Sequence, residues 1–230
     1  MQLSNLPKTL LIIAICAFLF QGCGSVNTGN NVTAPAADAP KTEPPFTNAE
    51  PETYQTEITV TSAGVTERFF AVRKGTQWRI DTAYGDPKQV TTLRTDRDYV
   101  LSSVSKTYAD FDTGHGFDER VRMIDEITRG MINGTRKAVY EKIGTEGGVT
   151  KYRMWGEAGK DLESVFSFDE KAGVPVRLEI FKNGSTAGAP DVTVQLTGFK
   201  LEADETLLAI PKDFKKVPLE VMKRILVAAP

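Results

Sequence analysis

From Tyr54 onward the chain alternates. Tyr54, Thr56, Ile58 and Val60 take every second position and Gln55, Glu57, Thr59 and Thr61 the others, the period-two pattern of a strand with one polar face. Ser62-Ala63-Gly64 turns it into a second strand over 65–73, and Lys74-Gly75 turns it again into 77–82. Runs over 89–95, 98–102 and 107–111, each bounded by Gly, Asp, Ser or Lys pairs, continue an antiparallel meander. Past residues 114–117 the period changes. Val121, Ile124, Ile127 and Met131 stand three or four apart, acidic Asp118 and Glu119 precede them, and Gly130 or Asn133-Gly134 ends the run, predicting a helix over 118–132. Strands resume at 137–143, 149–155, 164–169, 175–181 and 191–199, with Asn183-Gly184 in the loop before the last. Leu219, Met222, Ile225 and Leu226 predict a second short helix over 218–229. About eleven strands and two helices predict an α+β fold. A sheet that long curls, so the expectation is a strongly curved antiparallel sheet, an incomplete β-barrel, with helices covering its concave side.

Ahead of Tyr54 the pattern changes twice. Residues 24–51 carry Pro35, Pro40, Pro44, Pro45 and Pro51 among Gly, Asn, Thr and Ala, with no apolar periodicity, and read as a disordered tether. Residues 1–22 read as an export signal: Lys8 and the amine, then an apolar run from Leu10 to Phe20. That run falls short of the roughly 20 residues a spanning helix needs. Phe20-Gln21-Gly22-Cys23 resembles the lipobox of bacterial lipoproteins. The resemblance implies a diacylglycerol on the Cys23 thiol, cleavage before it, and acylation of the new amine by a chain such as palmitate. Gly24 stands where an aspartate retains such proteins at the inner membrane, which implies outer-membrane sorting. An ordinary export signal with a chance cysteine is the plainer alternative. The expected organisation is a signal peptide over 1–22, a lipidated cysteine and tether over 23–51, and one domain over 52–230.

Composition narrows the field. Cleavage removes one lysine and no acid, so the formal charge of −2 becomes −3, and no basic stripe suits nucleic acid. The second cysteine, Cys16, leaves with the signal, so no disulfide is expected and the core alone must hold the domain.

Four stretches resemble the outer-membrane lipoprotein-sorting (LolA/LolB-like) superfamily. They are "KGTQWRIDTAYGDPKQV" over 74–90, "DRDYVLSSVSKTYADF" over 96–111, "FSFDEKAGVPVRLEIF" over 166–181 and "LLAIPKDFKKV" over 207–217, in the family's order. Where that family often has Asp-Gly before a strand, this chain has Asp96-Arg97. The resemblance implies a half-barrel whose helices close a cavity for acyl chains or another apolar ligand. It also implies that Arg79 faces the lid and helps hold the cavity closed.

Trp78, Ile80, Phe69, Tyr99, Phe166 and Phe168 are the candidates to line such a cavity, since ligand pockets are mostly apolar and aromatic. Their plainer role is ordinary core, and that of Arg79 a surface arginine paired with Asp81 or Glu67. Asp110, Asp112, His115, Asp118 and Glu119 gather acids around the single histidine. Their spacing matches no EF-hand or zinc motif, so a strand end and an acidic helix cap account for them and no metal is expected. One histidine, no Gly-x-Ser-x-Gly elbow, no P-loop and no dinucleotide glycine pattern predict a protein that is not an enzyme and uses no cofactor. Two functions follow as expectations. One is an envelope protein binding a lipid or lipoprotein acyl chain. The other is an interaction or sensing domain on the same scaffold, binding an envelope protein partner without a lipid ligand.

Overall fold

The computed structural model describes residues 41–42, 50–112, 119–133, 138–156, 163–181 and 188–228. In chain order the strands are β1 (Lys41–Thr42), β2 (Thr53–Ser62), β3 (Val65–Lys74), β4 (Gln77–Thr82), β5 (Val90–Arg94), β6 (Asp98–Ser102) and β7 (Thr107–Phe111). They continue as β8 (Ala138–Glu146), β9 (Val149–Gly156), β10 (Glu163–Asp169), β11 (Val174–Phe181), β12 (Val192–Lys200) and β13 (Lys215–Lys216). All eleven expected strands form, and the two additions are two-residue edge pieces. The helices are α1 (Glu119–Asn133) and α2 (Leu219–Ala228).

One sheet holds all thirteen strands, in the order β1-β8-β9-β10-β11-β12-β2-β3-β4-β5-β6-β7-β13. Two meanders, β2–β7 and β8–β12, are joined where β12 pairs antiparallel with β2. The two ends never meet, so the half-barrel stays open. Local chemistry sets the turns. Ala63 and Gly64, at φ 49° and 76°, form a two-residue loop between the paired Ser62 and Val65. Positive φ at both centres gives a turn whose twist matches that of the strands. Gly198, at φ 62°, sits where the β12–β2 register shifts between Thr197 and Lys200. A bulge there bends the strand.

Helix α1 connects β7 to β8, which lie toward opposite ends of the sheet, so the chain must cross one face to join them. It buries Val121, Met123, Ile124, Ile127, Thr128, Met131 and Ile132. This stripe is wider than the four positions the periodicity singles out, because a helix set into a concave face is touched on its flanks as well as beneath. It packs on Tyr54, Ile58 and Val60 of β2, Phe69 and Ala71 of β3, Ile80 of β4 and Val194 and Leu196 of β12. Ile80 lies in one cross-strand row with Thr92, Val100 and Ala109. Met222 of α2 is buried on Val100 and Ala109, so α2 covers the same face farther along.

The opposite face of β3–β7 is covered as well. Residues 203–214, with a 3-10 turn at Glu205–Leu208, lay Leu207, Leu208, Ile210 and Phe214 across Val72, Leu93 and Leu101. This strap is absent from the periodicity, since it is neither strand nor long helix. The sheet also reaches past the expected tether boundary: Lys41 and Thr42 pair with Glu141 and Tyr140 of β8, and Glu50 makes ion pairs inside the domain.

Candidate functional site

The concave face is the candidate. Residues directly opposite on paired strands share a face, so the ladders assign each side chain. Phe69 and Ile80 are buried in the cluster under α1, and Trp78 packs against its rim. Phe166 lies on the same face, paired through Leu178 to Val194. It forms a second aromatic group with Phe168, Tyr140 and Tyr152, its ring stacked on Tyr152 at 5.1 Å and edge-on to Tyr140 at 5.7 Å. Five of the seven candidates thus share the concave face in two neighbouring groups.

Arg79 and Tyr99 do not join them. They share a row with Val72 and Leu93 on the opposite face, beneath the strap. Arg79 donates from Nε and Nη2 to both carboxylate oxygens of Asp81 at 2.9 Å. Its Nη1 reaches the Leu207 carbonyl at 3.1 Å. Thr91 donates to Asp81 Oδ1 at 2.5 Å, and Asp81 is 1% exposed. The pairing with Asp81 belongs to the plainer reading of the sequence, but it is buried rather than superficial. The segment that Arg79 holds is the strap rather than either helix. Tyr99 stands edge-on to Tyr108 and donates to Asp96 at 3.0 Å. Its phenol is pushed up first by burial and then by that hydrogen bond.

At one end of the concave face the apolar cluster meets charge. Tyr54, Arg73, Trp78, Arg94 and Asp98 form a cross-strand row there. The Arg94 guanidinium lies over the Trp78 ring at 5.2 Å and bonds both oxygens of Asp98 at 2.6 and 2.9 Å. Arg73 pairs with Glu50 at 3.1 Å and with Asp125 of α1 at 2.9 Å. Arg129 of α1 pairs with Glu50 at 2.9 Å, and the Tyr54 hydroxyl donates to Glu50 at 3.0 Å. Burial pushes the Tyr54 phenol up, and the Glu50 charge adds to the effect. Burial works against the Arg73 charge, but Tyr54, Glu50 and Asp125 outweigh it and hold its pKa above the ordinary value. No sequence signal marks this network, because its members are scattered from 50 to 129 with no motif spacing.

What the arrangement offers chemically is apolar contact inside and ion pairs at the rim. Beside Phe69 a groove of roughly 410 Å³ runs between Arg68 and the 83–87 loop, lined by both polar and apolar groups and open to solvent. Among the described residues no three His, Cys, Asp or Glu side chains gather as metal ligands. Asp110, from the acidic stretch, pairs instead with Arg97 and Lys216. His115 and Asp118 lie outside the described residues, as do Cys23 and the lipobox. No described helix is long and apolar enough to cross a membrane.

No protein-family model matches the chain, and no curated protein matches it. Solved structures do resemble it. An uncharacterized conserved protein from Thermus thermophilus is similar at 10% identity and a TM-score of 0.44, over 73% of this chain and 91% of that one. MucB is similar at 12% identity and a TM-score of 0.43, over 72% of this chain and 61% of that one. The MucA/MucB complex of Pseudomonas aeruginosa gives 12% identity and a TM-score of 0.42, over 70% of this chain and 56% of that one. This chain therefore spans less than two thirds of the MucB chains it matches. At these identities the likeness is one of fold.

Proposed function

We propose that this is a lipid-anchored protein of the bacterial cell envelope, of the LolA/LolB-like kind, that holds a lipid or lipoprotein acyl chain on the concave face of its half-barrel. Cys23 carries the anchor, and the outer membrane is the favoured site. One observation carries the reading: a broad apolar sheet face is covered by a helix that forms no part of the ladder. Moving α1 breaks no strand pairing, and the face it leaves suits an alkyl chain.

The magnitudes allow the exchange. Six apolar side chains of α1 are buried, and at about 2 kcal/mol each their exposure costs about 12 kcal/mol. A chain of about 14 methylenes, at about 0.8 kcal/mol each, returns about 11 kcal/mol. An acyl chain is thus nearly equivalent to the helix stripe, and binding is passive, with no chemistry at the site. Native mass spectrometry of the protein extracted from membranes tests it. A co-purifying lipid is the expected result. Protein that is lipid-free apart from its anchor, and that takes up no fatty acid, rules the reading out.

A second reading has its own support. Among the described residues β1 pairs with two of the nine residues of β8, and Ile143 farther along is 48% exposed. An open strand edge pairs readily with an extended segment of another protein. Crosslinking from residues 142–146 to an envelope partner, with no lipid bound, favours an interaction domain instead.

A further inference from the structure

We infer that Glu50, three residues ahead of β2, is the latch of α1, so that release of its carboxylate opens access to the concave face. The inference rests on the reading of α1 as a movable cover. Glu50 lies three residues ahead of β2 and belongs to no strand. Its carboxylate nevertheless reaches three elements: Tyr54 of β2, Arg73 of β3 and Arg129 of α1. Arg73 in turn holds Asp125, one turn before Arg129 on the helix. The described ion pairs between α1 and the rest of the domain all run through Glu50 or Arg73.

Burial makes these contacts count. Glu50 and Arg73 side chains are 12% and 15% exposed, so their attraction, and that of Arg73 for Asp125, is screened far less than that of a surface pair, whereas Arg129 at 49% exposed is screened more. Two acids and two arginines balance in the network. Withdrawing Glu50 leaves Arg73 and Arg129 sharing Asp125, in a setting where an unmatched charge is costly.

Release of Glu50 leaves the sheet paired. The Gly75 amide bonds the Glu52 carbonyl at 2.7 Å, which secures the start of β2 two residues beyond the latch. Losing that one carboxylate therefore loosens the cover of the concave face while the strands stay paired. No contact with the face itself is needed.

The test is hydrogen–deuterium exchange of the full-length protein and its Glu50→Ala, Glu50→Gln and Arg129→Met variants. Hydrogen bonds to charged groups contribute enough that amides of α1 should exchange at least about tenfold faster in Glu50→Ala, while those of β2–β4 keep their rates. Arg129→Met should quicken α1 in the same direction but less, since Arg129 is half exposed, and the Glu50→Ala/Arg129→Met double variant should add little to Glu50→Ala, as expected of members of one network. Unchanged α1 exchange in the Glu50 variants, or fully additive effects, overturns the latch. Stopped-flow binding of a pyrene-labelled fatty acid separates the two readings. Faster uptake in Glu50→Ala supports both. Faster α1 exchange without any probe uptake supports the latch and removes the ligand. Probe uptake at equal rates, with equal exchange, removes the latch and keeps the ligand.

Discussion

The two faces of the β3–β6 region are covered in opposite ways. On the concave face α1 lays apolar side chains on apolar side chains, and charge is pushed out to the rim at Glu50, Arg73 and Asp125. On the convex face the charges lie under the cover: Arg79 and Asp81 sit among Val72, Leu93 and Leu101, and Arg79 grips the strap by the Leu207 carbonyl. The difference concerns exchangeability. Apolar contact is non-directional, so one apolar object replaces another at little cost. A buried guanidinium needs its particular acceptors, and a strap lifted from it leaves a donor unmatched. The concave cover is therefore built to be exchanged and the convex cover to stay.

Four variants and a change of pH sharpen or break that contrast. Asp81→Ala should do the most damage, about 4 kcal/mol in urea unfolding, because it strands the Arg79 charge beneath the strap. A double Arg79→Met/Asp81→Leu variant should recover most of it, since filling the site with apolar atoms removes the unmatched charge. If Asp81→Ala is as mild as a surface change, the convex cover is not held as described. Ile124→Ala, at a fully buried position of α1, should cost about 3 kcal/mol through the cavity it leaves. A long-chain fatty acid should restore part of that loss by filling the concave face, and it should do nothing for Asp81→Ala. Equal rescue of both, or of neither, dissolves the contrast.

Gly198→Ala should cost about 1 kcal/mol, from the left-handed backbone alone, since no atom stands within 4 Å of an added methyl. A thermal melt would register it, and a neutral result would mean that the bulge in β12 relaxes. The smallest effect is acidification. Hydrogen bonds from Lys106 to Asp213 and from Lys216 to Asp110 hold both carboxyl groups below the usual carboxylate range. A depressed folded-state pKa contributes stability above the unfolded value and loses it as pH falls through the folded one. Both pairs tie the strap and β13 to the β6–β7 end of the sheet, so amide exchange in 212–217 should quicken below the ordinary aspartate range, and less so at high salt. Exchange in 212–217 that stays unchanged across that range would mean that the two pairs do not hold this end of the convex cover.

Much of the fold was legible beforehand because its determinants are local. The alternation over 54–60, the Ala63-Gly64 turn and the three–four spacing over 121–131 each lie within one element, and each formed where read. The site was legible in part. Phe69, Ile80 and Trp78 were picked as apolar positions on strands, and alternation then put them on one face. The same alternation put Arg79 on the other, next in sequence to both Trp78 and Ile80. No local signal tells which face of β4 the helix will cover, and the family resemblance points Arg79 toward a lid when its partner is the strap. The Glu50 latch carried no signal, because an acid 23 residues ahead of Arg73 and 79 ahead of Arg129 forms no pattern along the chain.

The sequence by itself determined the elements, their turns, the α+β class and the apolar stripes, since backbone geometry imposes periods of two and 3.6 on neighbours a few residues apart. Only the tertiary structure decided that β12 closes against β2, that α1 must therefore cross the face to reach β8, and that the arm before β2 meets it there. The first depends on pairing between strands more than a hundred residues apart, and the last on an ion pair across 79 residues. Their free energy comes from surfaces that do not exist until the sheet has formed.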